Sequence, residues 1–169
     1  MLIDTSKLDV SKTYVVNEFS NSEMGKIIQD LSSKVYKQYH PGIIPTHTFA
    51  IFYENEWMVF ENHLKHGGIK IYPLSKYESD AFRAYVNEYP LSIESMKYWN
   101  NNNPGYSVLN LAEITEKRLI GLPLPDTKGW VCSQSVVACN FKACNDLKLK
   151  FEVFTPCDFY FYFNRNDMI

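Results

Sequence analysis

Residues 47–61, HTFAIFYENEWMVFE, constrain the fold more than any other stretch. His47–Tyr53 and Glu56–Glu61 are rich in β-branched and aromatic residues and meet at Glu54-Asn55, which predicts two strands joined by a tight hairpin. Gly67-Gly68 then breaks the chain, and Ile69-Lys70-Ile71-Tyr72 resumes an alternating pattern. Residues 80–86, DAFRAYV, read as a further strand, and 13–18, TYVVNE, as a short one near the start. The central stretch therefore predicts an antiparallel meander of about four strands.

Helical signals surround this sheet. Met24, Ile27, Ile28, Leu31, Val35 and Tyr39 recur at helical spacing behind Ser20-Asn21-Ser22, with Pro41-Gly42 as the stop. Residues 91–100 and 106–120 are helix-compatible, the second ending at Gly121. Pro123, Pro125 and Gly129 mark a rigid loop. From Cys132 a helix is expected to about Ala143, with Cys132, Val136, Cys139 and Ala143 on one face. Pro156 suits the first position of a last short helix. The sum is one α+β domain over residues 1–169, a small antiparallel sheet or half-barrel packed against the Cys132 helix. Residues 1–42 add a strand and a helix at 23–39, read as a lid or, more simply, as a packing face.

Seventeen basic and 19 acidic residues leave no basic surplus, so nucleic acid is not an expected partner. No run of about 18 apolar residues occurs, so no membrane span is expected. Asp4, Lys7 and Asp9 interrupt the N-terminus, so no signal peptide is expected either. That reading suits a cytoplasmic or a virus- or phage-borne protein.

The four cysteines, Cys132, Cys139, Cys144 and Cys157, contain no C-x-x-C pair, which argues against structural zinc. Cys132 stands where a helix begins, the position at which backbone N–H groups favour a thiolate, whereas Cys139 and Cys144 lie further along and Cys157 has Asp158 beside it. A cysteine nucleophile needs a base, and the base needs an orienting group. Of the four histidines, His40 and His66 read as exposed loop residues beside Pro-Gly and Gly-Gly. His47 opens a strand. Glu61 and His63, two apart on the next strand, share a face, so either could orient His47.

The run THTFAIFYENEWMVFENHLKHGGIKIYPLSKY resembles the first half of the circularly permuted papain-like amidases, the YiiX-type branch of the NlpC-like superfamily. The matching residues are His47, Glu61, Gly68 and Pro73-Leu74. GYSVLNLAEITEKRLIGLPLPDTKGWVCSQSVVACNF resembles their Tyr-bearing helix, loop, aromatic-x-Cys-Ser and following helix, and Thr155-Pro156-Cys157-Asp158 their terminal Thr-Pro-x-Asp. The resemblance covers residues 43–160 and places the histidine before the cysteine, which is the permuted order. It departs at Gln134, where the family commonly has Glu, and in the helix that precedes His47.

The resemblance implies a cysteine hydrolase with Cys132 as nucleophile, His47 as base and Glu61 as orienter, His63 being the alternative. It makes Tyr106 an oxyanion donor or a core residue, and Ser133 and Gln134 supports of the helix start. No cofactor or metal is needed. The substrate would be an amide or ester: first a peptide such as that of peptidoglycan, next a lipid acyl group transferred by the same fold. The contrasting reading is a catalytically idle binding or structural domain, for instance in a virus particle.

Overall fold

The computed structural model describes residues 3–36, 44–120 and 128–164. His40, Pro41, Gly42, Gly121, Pro123 and Pro125 lie outside those residues. In chain order the elements are β1 (Tyr14–Ser20), α1 (Glu23–Val35), β2 (His47–Glu54), β3 (Glu56–His63), β4 (Gly68–Pro73), β5 (Ala81–Glu88), α2 (Ile93–Asn101), α3 (Val108–Ile120), α4 (Cys132–Val137), α5 (Lys142–Leu147) and α6 (Pro156–Asn164). The architecture is α+β.

The strands form one five-stranded antiparallel sheet in the order β4-β3-β2-β1-β5. The expected hairpin is present, with Asn55 at its tip at φ 64°, a conformation that Asn tolerates better than most residues. The simple meander is not. β5 does not extend the sheet beyond β4; it returns to pair with β1, and β1 lies inside the sheet between β2 and β5. Every residue of β1 is buried, which its interior position requires.

Period-two alternation divides the sheet's residues between two cores. Ala50, Phe52 and Phe60 pack with Val136 and Val137 of α4 and with Phe154 and Phe159. Phe49, Ile51 and Val59 face the other way, against Tyr14, Val16 and Leu74. Burying each large apolar side chain contributes about 1.5–3 kcal/mol before entropy is counted. Helix α1 lays Ile28 against Leu111 and Ile114 of α3 and against Val131, the residue before Cys132. Its Ile28 thus packs on α3, while Met24, Gly25 and Ile28 also border a surface cleft. Ser22 caps it through a 3.2 Å bond to the Gly25 N–H.

The helix from Cys132 is shorter than its sequence pattern predicts. It ends at Val137, and a turn intervenes before α5. Tyr106 lies outside α3, in a parallel bridge to Trp130. Pro156 begins α6 as expected, and the Asp158 carboxylate accepts bonds from Thr155 N at 2.7 Å and Thr155 Oγ1 at 2.8 Å, closing that helix start.

Candidate active site

The antiparallel register places Glu18 of β1 opposite His47 of β2. Glu61 and His63 follow the same face of β3. His47 Nε2 donates to Glu61 Oε2 at 2.9 Å, which leaves Nδ1 for a second partner, and Cys132 acts on the imidazole both by charge and by hydrogen bonding. The structure therefore brings Cys132, His47 and Glu61 together in that order.

Burial alone would lower the His47 pKa. The charge and hydrogen bond of Cys132, followed by those of Glu61, outweigh it and raise the imidazole from 6.5 to about 10. Burial likewise opposes ionisation of Glu61, whose side chain is 1% exposed. The hydrogen bond and charge of His47, then the Tyr72 hydroxyl, overcome that penalty and hold its carboxyl at about 2. Glu61 is a carboxylate with both oxygens used: beside the His47 bond to Oε2, Oε1 accepts from the Tyr72 hydroxyl and from His66 Nε2 at 3.0 Å.

His66 was expected as an exposed loop residue, and this is corrected. A 3-10 turn at Leu64–His66 carries the chain back toward β4 and points the ring at Glu61. Its only sequence signal is the Gly67-Gly68 pair that follows. Gly67 adopts φ 68° and closes the turn; a Cβ on Gly68 would fall 2.2 Å from Asn103, so neither position accepts a larger residue easily. Tyr72 also escaped the sequence reading. It lies across from Val59 in the β3–β4 register, two residues before Glu61 on the same face.

His63 does not orient His47. Its Nδ1 accepts from Lys65 N at 3.1 Å, and its ring meets that of His47 edge-on at 5.1 Å. Burial and the neighbouring His47 charge lower its pKa to about 4, so it stays neutral beside the imidazolium. Tyr106 sits 6.3 Å from the His63 ring and lines the same cleft as His47. Burial and the charge of Cys132 raise its phenol, so it keeps its proton.

Ser133 and Gln134 turn away from the cleft. Ser133 Oγ donates to Phe154 O at 3.2 Å. Gln134 Oε1 accepts from Val131 N at 2.9 Å and Asn110 Nδ2 at 3.0 Å, while Nε2 donates to Glu152 O at 3.2 Å and Phe151 O at 3.4 Å. A carboxylate could not donate to those two carbonyls, so Glu at this position would leave them unpaired. Asn62 Nδ2 donates to Trp130 O at 3.1 Å and Asn110 Nδ2 to Gly129 O at 3.1 Å. The two amides fix the segment that delivers Cys132. Trp130 itself stacks edge-on with Trp99 and Phe151, as a core anchor.

A cleft of ≈ 410 Å³ opens beside His47, lined also by His63 and Tyr106 and by the apolar Met24, Ile28 and Leu64. No protein-family model matches the sequence, and no curated protein matches it significantly. Among the described residues no helix is long and apolar enough to cross a membrane.

Proposed function

We propose that the chain is a cysteine hydrolase that cleaves an amide bond through an acyl-enzyme, with a Cys132–His47–Glu61 triad on a permuted papain-like fold. One observation carries this reading: a buried carboxylate, hydrogen-bonded through both oxygens, holds the imidazole that interacts with Cys132, the first residue of α4.

In this mechanism His47 Nδ1 takes the Cys132 proton, and the sulfur attacks the substrate carbonyl carbon. The developing oxyanion draws on backbone N–H groups at the helix start and on the Tyr106 hydroxyl. The imidazolium then returns its proton to the leaving amine as the C–N bond breaks, leaving a thioester. Water, deprotonated by His47, attacks the thioester and releases the acid and the free thiol. Glu61 holds the ring and stabilises its cationic form throughout.

Alkylation tests this reading. All four cysteines are buried, so access alone does not separate them. Burial drives Cys139 up to about 12 and Cys144 to about 11, and Cys157 higher still with Asp158 beside it. Brief treatment with iodoacetamide at neutral pH, followed by peptide mapping, should therefore mark Cys132 first. His47→Ala should remove most of that lead. Equal labelling of the four, or an undiminished lead in His47→Ala, would support the idle-domain reading instead.

A further inference from the structure

The mechanism leaves one buried carboxylate beside His47 unused. Glu18 is 4% exposed and faces His47 across the β1–β2 register. Its Oε2 accepts from the Tyr77 hydroxyl at 2.7 Å. Its Oε1 is buried and has no close hydrogen-bond partner among the described residues; burial raises the carboxyl's pKa, and the hydroxyls of Tyr77 and Ser79 and the His47 charge oppose that rise. Leaving a buried carboxylate oxygen unpaired costs about 1–3 kcal/mol or more, a penalty that a bound donor would relieve.

The surroundings specify that donor. Glu18 borders a cavity of ≈ 60 Å³, room for one small polar group, together with Ser79, Glu78 and Asp80. The same Ser79, Glu78 and Asp80, with His63 and Lys65, line a wider ≈ 360 Å³ surface cleft. Asp80, His47 and His63 also line the cleft of the triad. Neither Glu78 nor Asp80 forms a salt bridge with a described residue. Lys65 is the one lysine or arginine on this wall, and its ammonium lies 5.8 Å from the Tyr77 ring centroid. His47 and Lys65 set two cationic groups against the four carboxylates of Glu18, Glu61, Glu78 and Asp80, so the wall stays acidic on balance.

We infer that this pocket is a subsite for a protonated primary amine of the substrate, with Glu18 Oε1 accepting from the ammonium and Asp80 attracting it at the mouth. The inference rests on the cleft being the active site proposed above. It defines the substrate class as an amine-bearing amide, in which the cationic end seats beside His47 while the scissile carbonyl meets Cys132. The Met24, Ile28 and Leu64 wall takes an apolar portion.

The test uses the intact chain and a pair of cysteine-directed probes. One is an ω-aminoalkyl chloroacetamide with a linker of two to five methylenes. The other is its N-acetylated, uncharged counterpart. At low ionic strength the best amine probe should label Cys132 about tenfold faster than its acetylated partner, the scale of one charge-assisted hydrogen bond. Glu18→Gln should bring that ratio close to one, and Asp80→Asn, at the exposed mouth, should lower it in part. Taking the ratio within each variant removes any general change in thiol reactivity. A wild-type ratio near one at every linker length, with iodoacetamide still marking Cys132 first, overturns the amine subsite alone. A ratio that survives Glu18→Gln also overturns it. Iodoacetamide that does not prefer Cys132 overturns the active-site reading and the subsite with it.

Discussion

Replacing Glu61 with Gln alters the triad by one charge and little volume. In the wild type Glu61 takes donors from His47, His66 and Tyr72. A glutamine offers one carbonyl oxygen and one NH2, so it cannot accept from all three. A hydrogen bond to a charged group contributes about 1.5–3 kcal/mol and a neutral one about 1 kcal/mol. The imidazolium therefore loses about 1–2 kcal/mol of stabilisation relative to neutral imidazole. At 1.36 kcal/mol per pKa step, that lowers His47 by about one from its wild-type value. Its titration should move from about 10 toward neutrality. The sign follows from charge: a carboxylate favours the protonated ring and an amide does not.

Stability follows the same logic. The raised His47 pKa contributes stability that is fully present below 6.5 and lost as pH rises through about 10. The lowered Glu61 pKa contributes stability present above 4.5 and lost as pH falls through about 2. In Glu61→Gln the acid-side dependence disappears, and the alkaline-side loss begins at lower pH. Long-range 1H–15N NMR of the His47 ring across this range reads the titration directly, as a shift of about one pKa step toward lower pH. A His47 ring that titrates at the same pH in the folded variant as in the wild type refutes the role given to Glu61.

Two further substitutions probe the scaffold. Tyr72→Phe removes one donor from buried Glu61 and should lower stability by about 1–2 kcal/mol; urea melts check this, and an unchanged midpoint would show that Tyr72 does not support Glu61. Asp158→Asn disrupts a buried cluster in which Arg118 Nη1 reaches both carboxylate oxygens, at 3.0 and 2.9 Å, and the Tyr36 hydroxyl reaches one. It should cost about 3–5 kcal/mol. Guanidinium melts measure it, and a loss below about 1 kcal/mol would place that cluster outside the stability of the fold.

The sequence by itself determined most of the local elements, though not the end of the helix from Cys132 or the place of Tyr106 outside α3. Period-two runs gave the β2–β3 hairpin, and Ser22 and Pro156 set the starts of α1 and α6, because these signals act within a few residues of chain. Alternation also placed Glu61 and His63 on one face. It could not choose between them as the partner of His47, since that choice depends on side-chain direction and on what else each group binds. The sheet order was decided by the tertiary structure: β5 reads as a strand beside β4, yet pairing with β1 satisfies backbone groups that a distant segment must supply. The same holds for the site. His66 and Tyr72 converge on Glu61 because a turn and a strand register bring them there, and Gln134 is neutral because two carbonyls from Phe151 and Glu152 need donors. Those partners are separated in sequence, and only packing in three dimensions fixes which polar groups must satisfy one another.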